Sequence, residues 1–283
     1  MSAALATASP APDRLSPHKF AKLATLIYDQ TGIKMPRTKA TMLEGRLQRR
    51  LRETGMATLD QYCDHLFDGR AASGELVHLI NAVTTNKTDF FREPGHFDYL
   101  AQSALPTIAA TGQRRIRAWS AACSTGAEPY TMAMVLDQFA QGGGPDYGIL
   151  ATDIDTAVLE TARRGIYPAE LVEPVPSILR QRYVATPVDR TSRDVRIVPS
   201  LRSAIGFARL NLMDASYPVG DPMDIIFCRN VLIYFDKETQ EKVVRRLCDC
   251  LRPGGYLFLG HSESIAGMDL PVSTVSYTVF MKD

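Results

Sequence analysis

Apolar residues in the first third of the chain recur at helical spacing. After Ser16-Pro17, an N-cap and first-turn pair, Phe20, Leu23, Ala24, Ile27 and Tyr28 mark one helical face, which Gly32 ends. Leu43, Leu47 and Leu51 repeat at i, i+4 and i+8. Similar patterns over 58–67 and 73–83 complete an all-helical module over about 15–85. A polar stretch with two rings, Thr84 to Pro94, follows, and Pro94 opens a further helix over 96–109.

From Ile116 the pattern changes. Short apolar runs alternate with helical segments, which predicts an α/β sheet. A run from Ile116 passes through Ser120-Ala121-Ala122-Cys123-Ser124-Thr125-Gly126 into a helix opened by Glu128-Pro129, where Met132, Val135, Leu136 and Phe139 are periodic. A second run over 148–152 ends in Asp153-Ile154-Asp155, and a helix then runs to Arg164 before Gly165-Ile166-Tyr167-Pro168 breaks it. The proline-rich stretch over about 170–203, with β-like runs at 183–188 and 194–198, reads as a small β insertion. Runs at 205–210 and 224–228 resume the alternation, followed by a helix over 237–251, a run at 256–259 and a last, antiparallel one at 275–281.

Strand-to-helix turns offer free amides to a polar ligand, and an acid at the end of the second strand is where nucleotide-binding sheets hold ribose hydroxyls. The first turn has one glycine, Gly126, instead of the three of a dinucleotide fingerprint, so a nucleoside without a pyrophosphate fits better than a dinucleotide. Each acid also has a plainer reading: Glu128 as a first-turn helix acid, Asp155 as a helix cap. Asn211, Arg229 and Asn230 fall on the same strand-end edge as Glu128 and Asp153.

Composition narrows this little. The 283 residues are 45% hydrophobic and 22% charged with net charge +1, which gives no sign of nucleic-acid binding, and no apolar run is long enough to span a membrane. Residues 1–14 read as a disordered tail without signal-peptide features, so a cytoplasmic protein is expected. Five cysteines in such a chain read as free thiols, and neither they nor the histidines have metal-ligand spacing. The near-neutral total hides one patch: Lys34 to Arg52 holds seven basic residues against Glu44, a local charge of +6. It suits either an acidic partner or a solvated helix face.

Five motifs in order, Asn86-Lys87-Thr88-Asp89-Phe90-Phe91-Arg92, Ser120 to Tyr130, Ala151-Thr152-Asp153-Ile154-Asp155, Cys228-Arg229-Asn230-Val231-Leu232-Ile233-Tyr234-Phe235 and Leu251-Arg252-Pro253-Gly254-Gly255-Tyr256, closely resemble the CheR family. These are S-adenosylmethionine-dependent methyltransferases that esterify glutamates of bacterial chemoreceptors. The resemblance covers about 15–283. It implies a helical N-terminal domain over 15–85 and a Rossmann-like methyltransferase domain over 86–283 that carries the β subdomain. Cofactor contacts carry over to Asn86, Thr88, Arg92, Glu128, Asp153, Asn211, Leu212, Arg229 and Asn230, and Arg92 with Tyr234 match the pair proposed at the methyl-transfer centre. It further implies that the basic helix, with Lys39, Arg46, Arg49, Arg50 and Arg52, meets the cytoplasmic helical bundle of a receptor, and a monomer is expected. Two rivals remain: a small-molecule methyltransferase with the helical module as a lid, and a non-catalytic cofactor sensor.

Overall fold

The computed structural model describes residues 13–68, 73–185 and 193–283. The expected tail, apart from Asp13 and Arg14, and the 186–188 end of the run at 183–188 lie outside the described residues. The chain divides into two units, the first reaching Gln30 and resuming over Lys34–Val83, the second comprising Thr31–Ile33 and Thr84–Asp283.

The first unit is built from α1 (Pro17–Thr31), α2 (Ala40–Thr54), α3 (Leu59–Phe67) and α4 (Ser73–Val83). Leu23, Ile27, Leu43, Leu47, Leu51, Leu59 and Leu79 are buried at the spacing the sequence shows. Thr58 caps α3 by accepting the Gln61 amide. One expectation needs correcting here: the basic face of α2 does not point outward as a whole. Arg50 forks onto Glu75, Nε to Oε1 at 3.1 Å and a terminal nitrogen to Oε2 at 2.7 Å, and Glu75 also accepts the Tyr62 hydroxyl at 2.7 Å. Arg46 donates to the Val83 carbonyl. Arg49 and Arg52 stay exposed, Arg49 pairing with Glu53 one turn on. A carboxylate and a backbone carbonyl of α4 thus draw in two cations that sequence spacing alone leaves in solvent.

The second unit is a seven-stranded sheet in the order β6-β2-β1-β7-β8-β10-β9. Its strands are β1 (Arg115–Ala121), β2 (Asp146–Asp153), β6 (Ile205–Arg209), β7 (Met223–Cys228), β8 (Leu251–Leu259), β9 (Val272–Ser276) and β10 (Val279–Lys282). The first five in spatial order run parallel; β10 pairs antiparallel to β8, and β9 antiparallel to β10. The single expected last run at 275–281 is thus a hairpin turning at Tyr277-Thr278. A smaller antiparallel sheet joins β3 (Ile166–Pro168), β5 (Asp194–Ile197) and β4 (Val184–Ala185) in the order β3-β5-β4. In the sequence β3 reads only as a break, because two residues between a glycine and a proline carry no periodicity.

Consecutive residues of the central strands feed opposite faces. Ile225 and Phe227 of β7 join one core with Met132, Leu136 and Phe258, while Ile226 and Cys228 join the other with Trp119, Leu257 and Val243, Val244 and Leu247. The latter three lie on α11 (Lys237–Cys250) and Met132 on α7 (Ala127–Gln141). Trp119 is fully buried, its indole N–H donating to Thr152 Oγ1 at 2.9 Å, with the Tyr217 ring edge-on 5.6 Å away. The helix expected over 96–109 is broken into Gly95–Tyr99 and Leu105–Ala110 around a π-helical turn at Leu100–Ala104. Pro106 explains this: it has no N–H for a carbonyl one turn back, and a widened turn accommodates its ring.

β1 lies between β2 and β7, so the chain direction of winding switches there and the carboxyl ends of β1 and β7 flank a crevice. The crevice depends on Gly126, at φ +96°, which leads into α7. A Cβ there would lie 2.8 Å from both Ala162 Cβ and the Tyr167 hydroxyl. Gly126→Ala combines a left-handed backbone with that clash and is expected to destabilise the protein by about 2–4 kcal/mol. Urea denaturation measures it, and a change below about 0.5 kcal/mol would contradict this account of the turn.

Candidate functional site

The crevice opens into a cleft whose wall includes Asn86, Thr88, Arg92, Glu128, Asp153, Asn211, Leu212, Arg229, Asn230 and Tyr234. All ten residues singled out from the sequence therefore line one space. Their roles within it differ.

On the β1–β2 side the backbone is fastened by carboxylates. Asp153, at the end of β2, accepts the Ser124 amide at 2.8 Å on Oδ2 and the Asp155 amide at 2.9 Å on Oδ1. It is 7% exposed, and burial pushes its carboxyl up to about 6 despite those two amides. Asp155 takes the cap reading in full: Oδ1 accepts the Ala157 and Val158 amides at the start of α8 (Thr156–Arg164). Its other oxygen accepts from Thr84 at 2.8 Å and from the Asn86 side chain at 2.7 Å. Asn86 thus spends its amide bracing the loop, and its carbonyl accepts the Ser124 hydroxyl at 2.9 Å.

On the β7 side sits a string of alternating charges. Arg229, its side chain 1% exposed, lies between Glu128 at 3.2 Å and Glu93 at 2.8 Å. Its second terminal nitrogen also donates to the Arg92 carbonyl, and the Phe97 and Phe227 rings lie 5.5 and 5.7 Å from the guanidinium carbon. Glu128 in addition accepts the Ser120 hydroxyl at 2.7 Å. Burial pushes the Glu128 carboxyl up, and Arg229 offsets only part of this. Burial acts the same way on Glu93, but hydrogen bonds from Arg229 and Asn230 outweigh it and hold that carboxyl at about 2. The shorter contact goes to the more acidic group.

Asn230 donates its side-chain amide to Glu93 at 3.0 Å and its backbone N–H to Glu263 at 2.9 Å. Glu263 also accepts the Leu232 and Gly260 amides, at 2.7 and 2.6 Å, and so ties the turn that carries Tyr234 to the end of β8. Six non-glycine residues have positive φ among the described residues, and five flank this cleft: Phe91, Glu93, Ala122, Ser124 and Asn230. Such backbone costs of order 1–2 kcal/mol per residue and persists only where surrounding contacts hold it.

Sequence reasoning passed over Glu93 and Glu263. Glu93 stands before Pro94 and read as a helix approach; Glu263 lay in a polar tract between two strand-like runs. Neither has a periodic signature, since each acts on backbone far away in sequence. Among the described residues Glu93, His96 and His261 also bring ligand-type atoms within 4.8 Å of one another. Both Glu93 oxygens, however, are engaged by Arg229 and Asn230, so an arginine holds that corner.

The cleft fits the nucleoside and amino-acid ends of S-adenosylmethionine. Asp153 presents a buried carboxylate where hydroxyls would be accepted, Leu210 and Leu212 supply apolar wall, and Arg229 retains at Nε a buried donor without a protein acceptor. Comparison with known proteins gives the same answer independently. Residues 18–84 match the all-alpha domain of CheR methyltransferases, and residues 86–281 match the CheR methyltransferase SAM binding domain. "Chemotaxis protein methyltransferase 2" of Pseudomonas aeruginosa is 39% identical over 261 residues, covering 92% of this chain and 91% of that protein. The chemotaxis protein methyltransferase of Escherichia coli is 40% identical over 266 residues, covering 94% and 91%.

Glu263→Ala would strand three backbone amides that Glu263 now satisfies. Each buried unsatisfied donor costs about 1–3 kcal/mol, so a loss of roughly 3 kcal/mol or more is expected in urea denaturation. A loss under about 1 kcal/mol would mean that water replaces the carboxylate.

Proposed function

Since the chain belongs to the CheR methyltransferase family, and is an S-adenosylmethionine-dependent chemotaxis protein methyltransferase, we propose that it acts in the cytoplasm, as a monomer, on side-chain carboxylates of glutamates in the helical bundle of chemoreceptors, which become methyl esters. The observation that carries this reading is Arg92. It lines the cleft, and its hydrogen bond among the described residues goes to the Lys87 carbonyl at 3.0 Å, not to an acid. Its charge stays open to an incoming carboxylate.

When bound, S-adenosylmethionine supplies a methyl group that is already electrophilic. A glutamate carboxylate, with a reference pKa of about 4.3, is ionised near neutral pH and needs no general base. The protein's task is alignment, which can lower such a barrier by several kcal/mol. Asp153 and Glu128 would accept hydrogen bonds from the cofactor, and Arg229, 3.2 Å from Glu128, holds that carboxyl in place. Arg92 orients the acceptor, and Tyr234, on the turn after β7, adds a directional hydrogen bond. Water excluded on substrate binding would favour a step in which opposite charges cancel.

Receptor methylation with radiolabelled cofactor tests the reading. Label released by mild alkali as methanol marks an ester; alkali-stable label, or none, overturns it.

Asp153 gives a pH signature. Its carboxyl lies near 6 in the free protein, so protons compete with the cofactor below that value. Cofactor affinity is expected to be flat above pH 7 and to fall about tenfold per unit below 6. Asp153→Asn should weaken binding by about 1.5–3 kcal/mol at pH 8 and abolish the slope. Calorimetry between pH 5 and 8 checks both; an unchanged slope in the variant would place the titrating group elsewhere.

For the basic helix, the exposed pair is the informative one. Reversing Arg49 and Arg52 to Glu should raise KM for the receptor about five- to tenfold and flatten its salt dependence, with cofactor affinity unchanged. Arg50→Glu should instead unfold the helical unit by setting an acid against Glu75. Receptor kinetics of the pair at 50 and 500 mM salt decide: parent-like behaviour means a solvated face, and a shift in cofactor affinity means a lid.

A further inference from the structure

Glu93 carries no part of the chemistry above, yet it joins the segment that carries Arg92 to the turn after β7. Its Oε2 accepts from Arg229 at 2.8 Å, and its Oε1 accepts from the Asn230 side chain at 3.0 Å and the His261 amide at 3.3 Å. It is the residue next to Arg92, and Asn230 begins the turn that carries Tyr234. Arg229, held by Glu93, grips the Arg92 carbonyl.

The backbone states why such a clasp is needed. Phe91 at φ +52° and Glu93 at φ +55° place Arg92 between two left-handed residues, neither of them glycine, and Asn230 is at φ +59°. Asparagine tolerates this region, but nothing local favours it for Phe91 or Glu93. The contacts that hold these conformations are the Thr131 hydroxyl accepting the Phe91 amide at 3.2 Å, Glu263 accepting the Asn230 amide at 2.9 Å, and the Glu93 carboxylate with Arg229 and the Asn230 side chain.

We propose that Glu93 is a positioning residue for methyl transfer: through Arg229 and Asn230 it fixes the spacing between Arg92 and Tyr234. This rests on the assignment of those two side chains to the transfer centre. Glu93 itself touches neither acceptor nor cofactor. Its carboxylate also takes the second terminal nitrogen of the Arg229 fork, since Glu128 engages only the first.

The consequence is a split between turnover and binding. Glu93→Gln keeps the volume but can accept at only one oxygen, so Arg229 and Asn230 cannot both be held. Turnover on receptor is expected to fall at least tenfold, with S-adenosylmethionine affinity by calorimetry changing less than about threefold. Because Glu93 acts in part through Arg229, Glu93→Gln combined with Arg229→Lys, which keeps the charge but loses the fork, should cost clearly less than the sum of the two single losses. Thermal melting reports whether each variant is folded, and Arg229→Lys keeps the proposal testable if Glu93→Gln is not: it too must lose turnover. Parent-like turnover in a folded Glu93→Gln, additive losses in the double variant, or equal losses in turnover and affinity would each overturn the proposal. If the parent itself makes no alkali-labile ester on receptor, the functional reading fails first; the proposal fails alone when the parent is active and the variant matches it.

Discussion

The cleft is organised by the placement of one cation. Arg229 ends a fully buried strand, so its guanidinium has no water to turn to, and a buried charge is tolerated only when paired and hydrogen-bonded. Two carboxylates from different parts of the chain, Glu93 before the cleft's first helix and Glu128 in the first turn of α7, must therefore converge on it. That requirement sets where the 84–94 segment lies against the sheet. The phenylalanine rings beneath the guanidinium extend the same demand into the core.

Strain follows from it. Ala122, Ser124, Phe91, Glu93 and Asn230 adopt backbone that a free peptide avoids, and each belongs to a turn pinned by a carboxylate, a hydroxyl or Arg229. Asp153 holds one turn, Glu263 another. The acids divide the work: some secure the wall, and Asp153, raised by burial, is left able to respond to a ligand.

The alternation of strands and helices, and Glu128, Asp153, Asn211, Arg229 and Asn230 among the cleft residues, could be read from the sequence because they rest on periodicity and on strand-end position; Asn86, Thr88, Arg92, Leu212 and Tyr234 followed only from the family resemblance. Leu43, Leu47 and Leu51 announced a buried helix face for the same reason. What escaped depends on partners distant in sequence. Arg50 looked exposed until Glu75 of α4 was beside it, and Glu93 and Glu263 looked like linker acids until Arg229, Asn230 and the Gly260 amide met them. The hairpin of β9 and β10 read as one strand because its turn residues, Tyr277 and Thr278, are not turn formers; Thr278 adopts φ +51° there, its hydroxyl 2.9 Å from His96 Nε2.

Trp119 is the chain's single tryptophan, and its indole N–H is fixed to Thr152, the residue before Asp153. It is shielded from solvent, and its partner Thr152 is one peptide bond removed from the residue whose carboxylate a ligand would engage. The protein therefore carries its own optical probe: emission from this one indole senses the local field at the end of β2, so occupancy of the cleft can be followed by intrinsic fluorescence in the unmodified chain, with no background from a second tryptophan.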